Sequence, residues 1–220
     1  MSESQRNPEC VVHFEPVRVS LRLSELGIQR VQVERPLGRG LAAQRLCHEF
    51  HPVSHKGQVM WGETVRWLRD ELVRTGEWRC DDTLNLPTVM KNDSSMAIAV
   101  VRGDWATGEP AANPSTQYKR GPSTEDRVNQ NRMLPYDHLP PEMFTETKLA
   151  GVRTYLLLHH LKRNRLHAEL SLPVKIGKKG FVEEWSERII LGVIDPDGGT
   201  PMRLPDESPL HPEVRVRRRA

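Results

Sequence analysis

The stretch "VRTYLLLHHLKRNRLHAELSLPVKI", residues 152–176, carries the clearest secondary-structure pattern in the chain. An apolar run comes first, the basic and turn-like "KRNR" follows, and apolar residues then alternate with other residues. The alternating apolar positions are Leu166, Ala168, Leu170, Leu172, Val174 and Ile176. A period of two places these side chains on one face of a strand, so the stretch predicts an antiparallel hairpin. Pro173 has no N–H to donate and is expected at an edge or a bulge.

Two further strands are predicted around this hairpin. "GKKG" at 177–180 is expected to turn the chain, and "RIILGVI" at 188–194 supplies a third C-terminal strand, which completes an antiparallel meander. Earlier in the chain, "MAIAVV" at 96–101 is a continuous apolar run, which is typical of a strand covered on both faces.

The N-terminal half contains both the period of two that is typical of strands and the longer period that is typical of helices. "VRVSLRL" at 17–23 alternates strictly and predicts a half-buried strand, with "RVQVE" at 30–34 as its hairpin partner. Between residues 59 and 75 the period becomes helical, because four apolar residues share one face: Trp61, Val65, Leu68 and Leu72. A shorter helix is predicted at 41–50, ended by Pro52.

Together these patterns predict an α+β protein with a mixed N-terminal half, one prominent amphipathic helix, a long irregular central loop and a C-terminal antiparallel β-meander. The central segment carries six prolines and three glycines between residues 103 and 141. A loop of that length is uncommon inside a compact domain unless it is functional or a linker. The predicted division is therefore 8–102, 103–141, 142–200 and a Pro-rich basic tail at 201–220, with a single domain as the alternative.

The composition is that of a folded, loop-rich protein, with 37% hydrophobic and 28% charged residues among 220. No run of about 18 apolar residues predicts a membrane span, and the N-terminus lacks the pattern of a secretory signal. Three widely spaced cysteines without a CxxC motif argue against a disulfide framework. The expected location is the cytoplasm, with no membrane partner.

The segment "CHEFHPVSH", residues 47–55, is the densest cluster of potential metal ligands. His48, His51 and His55 would share one face of an uninterrupted helix and could offer nitrogen donors to zinc. Pro52 interrupts that helix, and the order of residues is not the HExxH of zinc peptidases. A metal site here is therefore kept as an alternative to histidines at a helix end.

A second metal hypothesis rests on Glu146 and Lys148. A glutamate and a lysine at this spacing occur in many metal-dependent nucleases, where carboxylates hold magnesium and the lysine assists the attacking water. Asp104, which follows the predicted strand at 96–101, is the candidate for the upstream acid. Both metal hypotheses lead to the same alternative function, a metal-dependent hydrolase or nuclease.

The commonest catalytic signatures are absent. The chain contains no GxSxG, no Walker A loop and no GxGxxG. His159 and His160 fall in a predicted strand, so their rings point to opposite faces, with one buried and one exposed. No catalytic residue, metal or cofactor is assigned on this basis.

The remaining signal is the distribution of basic side chains over predicted turns and loops. The net charge is only +3, from 32 basic and 29 acidic residues. Phosphate backbones are bound by distributed cations, and exposed aromatic rings can stack on bases. The candidate nucleic-acid-binding residues are Trp105, Lys119, Arg120, Lys162, Arg163, Arg165, Lys178 and Lys179.

These features predict a non-catalytic nucleic-acid-binding or assembly subunit of a bacterial nucleic-acid-handling complex. Its expected partners are a DNA or RNA backbone and other protein subunits. A protein–protein scaffold that becomes ordered on binding a partner chain is kept as a further hypothesis.

Overall fold

The structure, a computed structural model, describes residues 10–133 and 151–194. Its helices are α1 (Pro16–Glu25), α2 (Arg30–Arg45), α3 (His55–Val73) and α4 (Pro122–Met133), with a short 3-10 turn at Thr83–Asn85. Its strands are β1 (Val11–His13), β2 (Trp78–Asp81), β3 (Thr88–Lys91), β4 (Met96–Arg102), β5 (Arg153–Lys162), β6 (Arg165–Ile176) and β7 (Val182–Ile194). These elements confirm the predicted α+β class. None of the helices in the two described stretches is long and apolar enough to cross a membrane.

The strands form one mixed sheet in the order β1-β7-β6-β5-β4-β3-β2. β1 runs parallel to β7 and β4 runs parallel to β5, whereas the other neighbours are antiparallel. β4 and β5 lie on either side of the central segment in sequence, yet they are hydrogen-bonded neighbours, with Ala99 opposite Leu156. The sheet therefore combines strands from both halves of the chain.

The C-terminal meander is confirmed, since β5, β6 and β7 pair in antiparallel order. The turn between β5 and β6 consists of Arg163 and Asn164, with φ angles of 49° and 64°. Positive φ at both residues of a two-residue turn gives the twist that matches the flanking strands. The basic "KRNR" is thus the tip of a hairpin, as the sequence predicts.

The far end of the β6–β7 hairpin bends across the sheet. The register shifts at Pro173 and Lys175, and such irregularities bend a strand and increase its twist. Val182 and Trp185 of β7 then pack onto the sheet. The side chains that receive them are Ala99, Val101, Leu156 and Leu158. The bend carries the 177–180 turn over the sheet, away from its plane.

The predicted strand at 17–23 is wrong, because these residues form most of α1. Val19 and Leu23 are buried, whereas the other two apolar residues of the stretch are mostly exposed. Positions four apart lie on one face of a helix, so strict alternation also fits a helix that buries every second apolar residue. Pro16 begins the helix, at a position where proline is favoured.

The predicted strand at 30–34 is also wrong, and the predicted helix at 41–50 has the wrong bounds. Both regions belong to α2, which begins at Arg30 and ends at Arg45. The helix buries three residues at spacings of four: Val33, Leu37 and Leu41. α3 was predicted correctly over most of its length, although it begins at His55.

Both faces of the sheet are covered by other parts of the chain. α1, α2 and α3 cover the face that we call the helix face, where the main core includes Leu37, Leu68, Tyr155, Leu157 and Leu170. The segment 103–121 and α4 cover the opposite face, which we call the loop face. Each face therefore buries apolar side chains of the central strands, as expected for the continuous apolar run in β4.

The central segment is irregular as far as residue 121, as predicted, but it is folded against the loop face. The indole Nε1 of Trp185 donates to the carbonyl of Pro114 at 2.8 Å, and the hydroxyl of Ser115 donates to the carbonyl of Val182 at 2.9 Å. α4 follows this segment and is a helix that the sequence did not predict. Residues 134–141 lie outside the described part of the chain.

Candidate phosphate-binding site

The edge of β4 loses its strand partner towards its C-terminal end. β3 pairs with β4 as far as Thr88, which stands opposite Ala99. Pro87, next in register, has no N–H that could donate to the carbonyl of Val100. The indole Nε1 of Trp61 on α3 donates to that carbonyl instead, at 3.1 Å. Beyond this point α3, rather than β3, borders the edge of β4.

A cavity of about 960 Å³ lies between the start of α3, this edge of β4 and the segment 117–120. We call it the edge cavity. The backbone N–H of Gln117 donates to the carbonyl of Arg102 at 2.9 Å, which holds the segment beside β4. The apolar residues that line the cavity are Val53, Met60, Trp61, Val100, Val101 and Leu161. The other lining residues are Gln44, Ser54, Gly57, Gln58, Arg102, Tyr118, Arg120 and His159.

The edge cavity is electropositive, because two arginines and no carboxylate line it among the residues described. Arg102 makes no hydrogen bond or ion pair through its side chain in the described part of the chain. Its Nη1 lies 4.0 Å from the position that a Cβ on Gly57 would occupy, beside the first turn of α3. The N-cap residue Ser54 makes no side-chain cap, so the positive end of the α3 dipole is available there.

Arg120 adds a second guanidinium that is partly withdrawn from water. Its Nε donates to the carbonyl of Tyr118 at 3.0 Å. Burial lowers the pKa of Arg120 below its ordinary value, because desolvation disfavours the charged form. No acidic side chain pairs with this guanidinium within the described residues, so an anion in the cavity would offset part of that cost.

His159 lies at the wall of the edge cavity and is only 4% exposed. Desolvation and, to a smaller extent, the charge of Arg102 lower the pKa of His159 to about 4, so its imidazole is neutral at neutral pH. Its Nε2 has no hydrogen-bond partner among the described residues. The adjacent His160 is less buried, and its Nδ1 lies 3.0 Å from the carbonyl oxygen of Gly103.

Four predicted nucleic-acid-binding residues come together, and one of them, Arg120, lines the edge cavity. The backbone N–H of Arg120 donates to the carbonyl of Gly180 at 2.7 Å, and a Cβ on Gly180 would lie 3.4 Å from the Cβ of Lys119. This contact places Lys119 and Arg120 next to the turn that carries Lys178 and Lys179. We call these four residues, Lys119, Arg120, Lys178 and Lys179, the basic rim.

Of the other four candidates, three lie at the β5–β6 turn: Lys162, Arg163 and Arg165. Lys162 pairs with Glu109 at 3.1 Å, so its charge is partly neutralised. Arg163 and Arg165 are exposed, and Trp105 is 66% exposed in the segment that leads to Glu109. This group has a mixed charge, in contrast to the basic rim.

Residues 46–54 connect α2 to α3, and the histidines of 47–55 lie mainly on the surface. The rings of His51 and His55 stack with centroids 4.3 Å apart, and the backbone N–H of His48 donates to Nδ1 of His51 at 3.0 Å. Over 10–133 and 151–194, no group of three or more His, Cys, Asp or Glu side chains is placed to hold a metal ion.

The carboxylate of Asp104 lies in a turn, where its Oδ1 accepts the backbone N–H of Ala106 at 3.1 Å. Its proposed partners Glu146 and Lys148 lie outside the described residues, so this nuclease-like set stays a prediction. The three cysteines are free thiols in the structure: Cys10, Cys47 and Cys80.

Sequence reasoning named the four residues of the basic rim as candidates, but it predicted neither their contact nor the edge cavity. Arg102 and His159 belong to strands that the sequence predicts, yet no local motif marks them as binding residues. Pro87 was the available signal, because a proline beside a strand ends its pairing and opens an edge. Comparison with protein-family models, with curated proteins and with solved structures gives no match to the chain.

Proposed function

We propose that this protein is a non-catalytic nucleic-acid-binding subunit that holds the phosphate backbone of DNA or RNA on the basic rim. The single observation that supports the proposal is the meeting of two basic segments, at 119–120 and 178–179, through the contact between Arg120 and Gly180. The four cations of the rim come from parts of the chain far apart in sequence. None of them pairs with a carboxylate among the described residues.

Phosphate backbones suit this arrangement because they carry regularly spaced charge and require little geometric precision from cationic side chains. Lys119, Lys178 and Lys179 are exposed and can follow a flexible backbone. Tyr118, which is 57% exposed beside the rim, offers a ring on which an unpaired base can stack. These features favour binding by charge and stacking, with weak dependence on base sequence.

The proposal includes a protein partner in a bacterial nucleic-acid-handling complex in the cytoplasm. Three apolar side chains of the α2–α3 connection are highly exposed: Leu46 at 86%, Phe50 at 87% and Val53 at 102%. Exposed apolar residues grouped in one segment are typical of contact sites between proteins. This segment is our candidate for the contact with another subunit.

A direct test is the titration of the full-length chain into labelled single- and double-stranded DNA and RNA of one length, followed by fluorescence anisotropy. The protein would first be freed of copurifying nucleic acid with a high-salt wash. We expect binding near 50 mM salt that weakens steeply by 200 mM and is unchanged by a chelator. Affinity that disappears with the chelator would favour the metal-dependent alternative.

A further inference from the structure

Apart from Tyr118 and Arg120, the residues that line the edge cavity take no part in the proposed backbone binding by the basic rim. We infer that the edge cavity binds a small organic phosphate of about the size of a nucleoside monophosphate. Arg102 and Arg120 hold the phosphate of this ligand, and its flat body lies against Trp61 and the neighbouring apolar wall. The inference shares only Tyr118 and Arg120 with the proposed function, so either can hold without the other.

The phosphate end is assigned from the charges that line the cavity. Arg102 and Arg120 both lie at its wall, no carboxylate lines it among the described residues, and the first turn of α3 lies beside Arg102. Guanidinium groups bind phosphate oxygens through strong, charge-assisted hydrogen bonds, and helix N-termini favour the same charge. Two guanidiniums match the double negative charge of a phosphomonoester better than the single charge of a carboxylate.

The body of the ligand is assigned from the size and chemistry of the remaining wall. The volume of about 960 Å³ is far larger than inorganic phosphate requires, and it lies within the range of pockets for small organic ligands. The indole N–H of Trp61 already donates to the carbonyl of Val100, but the side chain is still 41% exposed. Its ring is therefore available for apolar contact. Tyr118 brings a second ring to the same cavity.

Isothermal titration calorimetry of the full-length protein tests the inference with AMP, GMP, CMP and UMP as probes, and with adenosine and inorganic phosphate as partial ligands. We expect at least one monophosphate to bind at one site per chain with a Kd below about 1 mM, which is typical of a specific small-molecule site. Adenosine and inorganic phosphate should bind at least about tenfold more weakly, because each makes only part of the contacts. Absence of binding by all four monophosphates would overturn the inference.

One variant locates the site. Arg102→Gln should weaken binding of the preferred monophosphate by about tenfold or more, since it removes a charged contact to phosphate. Arg102 has no partner in the described chain, so its replacement should not disturb the fold. Wild-type affinity in Arg102→Gln would contradict the inference.

The double variant Lys178→Ala/Lys179→Ala separates the two sites. It should keep the monophosphate affinity of the wild type within about twofold, because neither lysine lines the edge cavity. The same variant should lose affinity for nucleic acid if the proposed function is right. A large loss of monophosphate affinity would show that the rim, and not the edge cavity, binds these probes.

Discussion

Arg188 and Glu169 form an ion pair on the loop face in which both side chains are almost fully buried. Nε and Nη2 of Arg188 donate to the carboxylate of Glu169 at 3.0 and 2.6 Å, and the side chains are 3% and 0% exposed. Glu169 also accepts the backbone N–H of Gly108 at 2.8 Å, while Arg188 donates to the carbonyl of Ala112. The pair thus attaches the irregular segment 103–121 to strands β6 and β7.

Arg188→Met should destabilise the protein by about 3–5 kcal/mol, because it leaves the charge of Glu169 buried without its partner. Chemical denaturation followed by tryptophan fluorescence measures this change. Adding Glu169→Gln to Arg188→Met should restore part of the stability, since the unpaired charge is then removed. The matched control is Arg74→Met, which breaks an exposed pair with Asp70 and should cost at most about 0.5 kcal/mol.

Limited proteolysis gives a second measure of the same pair. In Arg188→Met we expect cleavage within 103–121 at protease concentrations that leave the wild type intact, because local opening of this segment becomes easier. Equal protection in the two proteins would mean that other contacts, such as that between Trp185 and Pro114, hold the segment by themselves.

Gly40→Ala should be strongly destabilising, because α2 and α3 approach each other closely at this residue. A Cβ on Gly40 would lie 2.1 Å from Oγ1 of Thr64 and 2.8 Å from the carbonyl oxygen of Met60, and the latter belongs to the backbone. We expect a loss of about 2–3 kcal/mol, measured as a lower thermal midpoint and a lower free energy of unfolding.

Gly62→Ala is the control for this substitution. Gly62 also lies in a helix, α3, but a Cβ there would have no atom of the described residues within 4 Å. Alanine should therefore stabilise the helix by up to about 1 kcal/mol, since it has the higher helix propensity. Equal effects of the two substitutions would contradict the close packing of α2 on α3.

The free energy of unfolding should fall as the pH is lowered from about 6.5 towards 4, partly because of His159. The pKa of His159 is about 4 in the folded protein, against 6.5 ordinarily, so over this interval the unfolded chain binds a proton that the folded chain excludes. The contribution is complete above the unfolded pKa and amounts to about 3 kcal/mol for the whole shift.

His159→Gln should reduce this pH dependence, since glutamine does not titrate. Burial also lowers the pKa of His167, which therefore contributes in the same direction. The quantity to compare is the slope of the free energy of unfolding between pH 6.5 and 4.5 in the variant and in the wild type. Identical slopes would show that His159 is not held neutral by burial.

Asn131→Ala should cost about 2–3 kcal/mol, because the Asn131 amide connects α4 to two strands. Its Nδ2 donates to the carbonyls of Thr154 and Pro173, both at 2.9 Å, and its Oδ1 accepts the backbone N–H of Thr154 at 2.8 Å. Alanine leaves these buried backbone groups without partners. The neighbouring Asn129 is exposed, so Asn129→Ala is the control and should change stability by less than about 0.5 kcal/mol.

The C-terminal strands were predictable because their patterns fit only one period. In β6, apolar residues occupy every second position over eleven residues. A helix could not bury all of these side chains on one face. In α1 the alternation is shorter, and only Val19 and Leu23 are buried. Over seven residues, the same apolar positions fit either a strand or a helix. Tertiary packing determines that this stretch is a helix.

α2 could not be predicted for a different reason. Pro36, Gly38 and Gly40 all lie inside it, and these residues weaken or break isolated helices. Here packing against α3 and the sheet compensates for the poor propensity, and Gly40 is what allows the close approach. Propensity is a local quantity, whereas this compensation arises from residues that are distant in sequence.

The candidate site depends on two long-range features. The basic rim forms because the β6–β7 hairpin bends at Pro173 and Lys175, which brings 178–179 to 119–120. The edge cavity forms because β3 stops beside Pro87 and α3 takes its place. A sequence pattern can name the lysines of the rim, but it cannot show which of them meet.

The measurement that tests the central claim most directly is the salt dependence of nucleic-acid affinity in two charge-matched variants. Lys178→Ala/Lys179→Ala removes two charges from the basic rim. Arg18→Ala/Arg74→Ala removes two charges from exposed helix positions, where these side chains are 73% and 77% exposed. Both variants have the same net charge, so non-specific electrostatic effects are equal.

We predict a slope of log K against log salt of about −3 for the wild type on single strands, which corresponds to four phosphate contacts. The rim variant should have a slope shallower by about 1.5 and a lower affinity at 50 mM salt, whereas the helix variant should keep the wild-type slope. Equal slopes for the two variants, or no binding by the wild type at 50 mM salt, would contradict the assignment of the basic rim.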